Sequence, residues 1–433
     1  MDQQTIDALR AAMENGMKVA TGCTEPVAIA YAAATAYAQT AGEILRLELR
    51  ASGSIIKNAF VVGIPGTKFT GPKYAAAIGA YCGDPLKKLE LLERLDPEKV
   101  SRAAALVERG DVTLARADSD CKLYIEVELT TGQDVVNVKI IGSHTHIAAI
   151  VKNGETLYSD GCYATEDDTA APCAPAYTLA ELYEYCTEAP LTEFALVRQS
   201  IDLNLAIAQE GLRGDYGLQV GKTLQAGVAD GLLGDDSTNY AMTLAAAAAD
   251  ARMAGVSLPV MSNSGSGNQG IAATLPVVAL WRRLDGKDEA RLLRACALSN
   301  LTTIYIKSKF GVLSALCGAV VAATGVAAAA TWLLGGGIGE LDCAISNVLG
   351  NVAGMLCDGA KASCALKIST CTSAAMQGAA LAMRHLRVRS NEGIVELAPE
   401  ETIENFALLG NQGSDELDRL ILEMIIHKKD AGA

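Results

Sequence analysis

Hydrophobic and polar positions change period twice along this chain. Residues 1–42 carry helical spacing broken at "ATGCTEP", so two helices are expected there. From Ile44 the period shortens. "ILRLELRASG" and "AFVVGIPG" are alternating or apolar runs closed by Gly and Pro. "KLYIEVELTTGQDVVNVKII" reads as a hairpin around Thr131, Gly132 and Gln133, and "HIAAIVKNGETLYSD" as a second strand pair turning at Asn153-Gly154. Between these strands "KKLELLERLDPEKVSRAAALVERG" is strongly helical. The Pro- and Ala-rich "TEDDTAAPCAPAY" marks a boundary, and from Leu179 onward the spacing is helical again. Gly-rich breaks fall at 211–221, 262–270, 335–339 and 350–359. The pattern predicts an α+β protein. A large, mainly helical domain (1–43 and 179–433) carries an inserted smaller α/β module with its linker (44–178).

The uncharged stretch 311–337, "GVLSALCGAVVAATGVAAAATWLLGGG", is long enough to cross a bilayer. Ala, Gly, Val and Thr drive insertion weakly. A buried helix pair is therefore expected, and no membrane partner.

Composition narrows the class. Half the 433 residues are hydrophobic but only 5% aromatic, so the cores must be packed from Ala, Val, Leu and Ile. A net charge of -14 argues against nucleic acid or an anionic membrane as partner. The N-terminus lacks a basic region and an apolar run, so no signal peptide is read and a cytoplasmic location is expected. Twelve cysteines in a reducing compartment are not a disulfide framework. Cys296 and Cys343 sit in apolar helical patterns and read as core.

Several stretches could carry chemistry. "GLQVGKT" at 217–223 has three residues between its glycines where a phosphate loop needs four, so it reads as a turn between helices. "SNSGSGNQG" at 262–270 is dense in donors and opens onto an apolar helix. Ser262, Asn263, Ser264, Ser266 and Asn268 are therefore candidates for holding a small acid at a helix N-terminus. A pyridoxal-phosphate reading, with Gly335-Gly336-Gly337 as phosphate cup, needs a Schiff-base lysine, and only Lys57 loosely fits. His144 and His146 alternate as on a strand, and no Cys, Asp or Glu nearby completes a zinc site. Cys23 precedes a helix start at Pro26, where the dipole favours a thiolate. Cys317, Cys357 and Cys364 lack the compact spacing of zinc or ferredoxin sites, and spacing alone does not make this a metal protein.

Four motifs in this order, "TGCTEPVAIAYA", "SNSGSGNQG", "SKFGVLSALCGA" and "GMLCDGAKASCALK", resemble the L-cysteine desulfidases. That family is related to the alpha portion of iron–sulfur-dependent L-serine dehydratases. The resemblance spans nearly the whole chain. It implies an oxygen-sensitive [4Fe–4S] cluster, no pyridoxal phosphate, and elimination of HS⁻ or water from a small amino-acid substrate. The desulfidase pattern matches Cys23, Cys317 and Cys357; the serine dehydratase pattern matches Cys317, Cys357 and Cys364. Cys317, Cys357 and Cys364 are taken as cluster ligands, with Cys23 as a further ligand or a catalytic thiol. Candidates for removing the Cα proton are Cys23, His144 and Lys309. The separate regulatory portion of the serine dehydratases has no obvious counterpart beyond the inserted module. That difference and the "TGCTEP" motif favour L-cysteine over L-serine as substrate. A non-catalytic iron–sulfur redox sensor is the reading from another class, and a homo-oligomer is left open.

Overall fold

The computed structural model describes residues 1–119, 121–161, 175–284, 286–310 and 314–427. The linker read at 165–177 lies outside these residues except for its last three, as do residues 311–313 of the apolar stretch.

Helix α1 (Gln3–Gly16) is capped by the Asp2 carboxylate, which accepts from the Thr5 N–H. Strand β1 (Met17–Thr21) follows, then α2 (Thr24–Tyr37), β2 (Ile44–Ala51), α3 (Gly53–Ala59), α4 (Pro72–Cys82) and α5 (Pro97–Glu108). Strands β3 (Val112–Arg116), β4 (Tyr124–Thr131), β5 (Val135–Ile141), β6 (Ile147–Lys152) and β7 (Glu155–Ser159) complete the first part. The helical part starts with α6 (Leu179–Glu188), whose Thr178 and Glu181 form a capping box. It continues through α7 (Ala195–Arg213), α8 (Val220–Ala229), α9 (Ser237–Met253), β8 (Pro259–Asn263) and α10 (Gly267–Leu284). Helices α11 (Glu289–Ser308), α12 (Gly318–Leu333), α13 (Ile338–Val352), α14 (Cys364–Ala382), α15 (Pro399–Gln412) and α16 (Ser414–Ile426) end it. The architecture is α+β with a mainly helical part, as the pattern predicts.

Six strands form one sheet in the order β3-β2-β4-β5-β6-β7, with β2 and β3 parallel and the other neighbours antiparallel. Alternation places Ile125, Val127 and Leu129 of β4 on the buried face, where α2 packs. Helix α2 is covered on the other side by α4, so almost all its residues are buried and it shows no polar stripe. Helical spacing groups α2 with the helical part; its side chains instead belong to the sheet's core, together with Leu422 of α16.

A second correction concerns residues 17–21. The break between the first two helices is a strand, β1, paired antiparallel with β8 from Met17↔Asn263 to Thr21↔Pro259. Five residues with a partner so distant in the chain leave no readable period.

The large core gathers α1, α6, α7 and α9–α15. Within 311–337 the structure contains one buried helix, α12, rather than a helix pair; Gly335 (φ 96°) starts the turn into α13. Among the described residues no helix is long and apolar enough to cross a membrane. Ala-rich faces let helices touch backbone to backbone. A Cβ on Gly211 of α7 would fall inside contact with the Ala247 carbonyl of α9, while Gly221 of α8 presses on Ala247 from its own side. Gly211→Ala is expected to cost about 3 kcal/mol, read as a lowered melting temperature by circular dichroism. A melting temperature within about 1 °C of wild type would contradict this close approach.

Candidate active site

Two short segments bring distant cysteines together. Residues 315–317 and 355–357 run antiparallel, bridged at Leu316 and Leu356. Cys317 N–H donates to the Met355 carbonyl (3.0 Å), and Cys357 N–H to the Ala315 carbonyl (2.7 Å). Cys317 is the N-cap of α12, and Cys364 is the first residue of α14. Cys23 is the N-cap of α2, reached through Gly22 in the left-handed region (φ 75°). All four cysteines line one cavity of about 120 Å³.

The loop carrying Cys357 is clamped from outside. Buried Lys57 donates to the Cys357 carbonyl (3.2 Å) and to Asp418 of α16 (2.6 Å). A Cβ on Gly359 (φ 98°) would collide with the Lys57 carbonyl, so only glycine lets the loop lie this close. Asp358 pairs with Lys361 and Lys367. Burial alone would raise the Asp358 carboxyl, but hydrogen bonds and charge from these lysines outweigh it and hold it at about 2.

Four helix N-termini face the same space: those of α2, α10, α12 and α14. Ser266 caps α10, its Oγ accepting from Gln269 N–H (3.3 Å) and its carbonyl from Gly270 N–H (3.1 Å). The positive ends of four dipoles favour anions there. Burial works against charge on the sulfurs. It pushes the Cys23 thiol up to about 12, opposed by Arg252. It also raises Cys317 and Cys364, with the neighbouring Cys357 adding to both. Burial therefore favours the neutral thiol at Cys23, Cys317 and Cys364, and a metal binding there would have to displace their protons.

Arg252, at the end of α9, is the residue sequence reasoning missed. It is 4% exposed and lines the cavity. Its Nη1 donates to Asn268 Oδ1 (3.0 Å) and its Nη2 to the Gly22 carbonyl (2.7 Å), while buried Nε has no partner. Nothing in "ADARMAG" distinguishes this arginine from a solvated helix-end charge.

The remaining candidates separate clearly. Ser266 and Asn268 line the cavity; Ser262, Asn263 and Ser264 are not among the described residues that do. Ser262 and Asn263 are strand residues: Ser262 Oγ donates to the Lys18 carbonyl of β1, and Asn263 Nδ2 to Asn300 of α11. Ser264 Oγ donates to Asn263 Oδ1 (2.9 Å). The donor-rich loop is thus half structural, because β8 needs the first half to join β1 and α11. His144 and His146 lie in the turn between β5 and β6, not on one strand face. His146 pairs with Asp160 (2.5 Å). His144 is lowered by burial against the charge of Glu25, and its Nε2 is buried without a partner; it stands near Glu25 without lining the cavity. Lys309 caps α11 over the Tyr305 ring, 3.5 Å from Glu404, and is not brought to the cavity. Lys57, engaged by Asp418, and the turn at 335–337 do not line it either. At "GLQVGKT" the Asp250 carboxylate accepts from Gly221 N–H (3.0 Å), occupying the α8 N-terminus where a phosphate would sit.

Among the described residues, no three His, Cys, Asp or Glu side chains converge tightly enough for a single metal ion. Cys23, Cys317, Cys357 and Cys364 nonetheless all line the one cavity.

A sequence model of the family described as "Serine dehydratase alpha chain" matches residues 87–423. The chain belongs to that family. This bears out the likeness to the alpha portion of the serine dehydratases read from the four motifs. Relatives match along nearly the whole chain. The UPF0597 protein of Oleidesulfovibrio alaskensis is 45% identical over 410 residues, 95% of each chain. That of Photobacterium profundum is 42% identical over 411 residues, covering 94% of this chain and 96% of its own. That of Vibrio parahaemolyticus is 41% identical over 427 residues, covering 98% and 100%. Membership of the serine dehydratase alpha chain family supports a lyase-like function.

Proposed function

We propose that the protein is an iron–sulfur-dependent lyase that eliminates hydrogen sulfide from L-cysteine, giving pyruvate and ammonia. One observation carries the reading: four thiols and a buried guanidinium share one small cavity in a serine dehydratase alpha chain family member. Thiols placed around a wall suit a cluster, which is bonded at separate irons, better than a single ion, whose ligands must share a point. Cys317, Cys357 and Cys364 would hold a [4Fe–4S] cluster. When bound, it would supply an open iron as Lewis acid for the leaving sulfur.

The chain's own residues do the rest. Arg252, Asn268 and the open end of α10 are assigned to the substrate carboxylate, because all of them line the cavity and offer it donors and a positive dipole end. Cys23 neighbours both Arg252 and Cys364 and is the cavity group assigned to take the Cα proton at its Sγ. Burial opposes the thiolate this requires; Arg252 and the α2 N-terminus favour it. Ala319 and Ile368 on the wall keep the leaving group's surroundings apolar. Loss of the Cα proton and HS⁻ leaves aminoacrylate, which water converts to pyruvate and ammonia.

L-Serine is the second reading, favoured by the family description. The test is an anaerobic assay of sulfide and pyruvate with each amino acid. Equal amounts of both products from L-cysteine are expected. Pyruvate from L-serine without sulfide from L-cysteine would make the protein a serine dehydratase. Iron-loaded protein inert to both would leave a redox sensor.

A further inference from the structure

Two opposite charges face the cavity without pairing. Arg252 and Glu25 both line it, yet among the described residues neither forms an ion pair with the other or with anything else. Neutral groups hold each in place. Asn268 and the Gly22 carbonyl hold the guanidinium; Thr24 Oγ1 (3.1 Å) and Asn58 Nδ2 (3.0 Å) donate to the Glu25 carboxylate. Each group also includes one buried polar atom with no partner, and the two differ in kind: Arg252 Nε is a donor, Asn58 Oδ1 an acceptor. The Asn58 amide cannot be turned round, since that would set its oxygen against the Glu25 carboxylate.

Partly desolvated charges left apart are costly unless something bridges them. A ligand carrying one charge would satisfy one group and leave the other. Glu25 also lies in the first turn of α2, where an acid complements the dipole. That role would not require Asn58, nor orient an amide oxygen without a donor. An ammonium has three N–H donors and no acceptor, which matches a carboxylate beside a free amide oxygen.

We propose that Glu25 and Asn58 form an α-ammonium subsite, so that the cavity selects α-amino-acid zwitterions over acids lacking the amino group. This rests on reading the cavity as the substrate site, and names the residues that recognise the substrate's second charge. L-Alanine and propionate differ only in that ammonium, and neither carries a leaving group. Their affinities for the anaerobically purified protein can be compared by titration calorimetry. L-Alanine is expected to bind about 10-fold tighter or more, the scale of a lost charge-assisted hydrogen bond. In Glu25→Gln and Asn58→Leu the ratio should fall below about 3-fold, with propionate affinity unchanged as the sign of an intact cavity. Equal wild-type affinities overturn the subsite whatever the variants do, as does a ratio untouched in both variants. A preserved preference with no sulfide or pyruvate released would overturn the lyase and leave the subsite standing. Equal affinities with sulfide released would do the reverse.

Discussion

Cys317→Ser and Cys357→Ser proteins, purified without oxygen, are expected to hold less than about one-tenth of the wild-type iron and to lose the absorbance near 400 nm. These thiols come from two segments joined by the Leu316–Leu356 bridge, so losing either would remove one of the proposed ligands at the N-terminus of α12. Serine keeps the size and the backbone pairing, which separates loss of sulfur from loss of fold. Cys296→Ala, fully buried in the helical core with no cavity contact, should retain iron even if it melts lower. Cys23→Ser is the informative third case. It should keep most of the iron but lose turnover, since Cys23 is assigned to the proton and not to the cluster. Iron content equal to wild type in both Cys317→Ser and Cys357→Ser would remove the ligand assignment.

Arg252→Met is expected to lower kcat/KM for the substrate by about 10²–10³-fold. In the proposed function the buried guanidinium on the cavity wall holds the carboxylate, in an environment that strengthens a charged hydrogen bond. Arg252→Lys should recover part of the loss, because charge remains but the fork that reaches both Asn268 and Gly22 does not. Thermal unfolding of both variants checks that the turn at Gly22 still forms. A loss under about 3-fold in Arg252→Met would place carboxylate recognition elsewhere.

What was legible in the chain was local. The hairpin at Thr131-Gly132-Gln133 joins β4 and β5, and Asn153-Gly154 joins β6 and β7 with both turn residues at positive φ (50° and 83°). These signals need only neighbours within a few residues. The cysteines are a different case. Their spacing, 23, 317, 357 and 364, has no motif of its own, and only a family likeness pointed to them. In the folded chain they line one cavity because three of the four begin or cap helices whose N-termini face it.

The polar wall shows the same division. Ser262 and Asn263 look as capable of binding an acid as Ser266 and Asn268. Strand pairing with β1 and contact with α11 consume the first two, leaving the others at the helix start. Conversely, nothing near Asn58 or Arg252 in the chain marks them, and the "TGCTEP" motif draws attention to Cys23 rather than to Glu25. The strand periods, turns, helix content and low aromatic fraction were set by residue order alone, since these depend on backbone geometry and side-chain shape over short stretches. Which charges meet the cavity, and which stay unpaired there, was decided by segments more than two hundred residues apart packing side by side, because burial and hydrogen-bond partners belong to the assembled core.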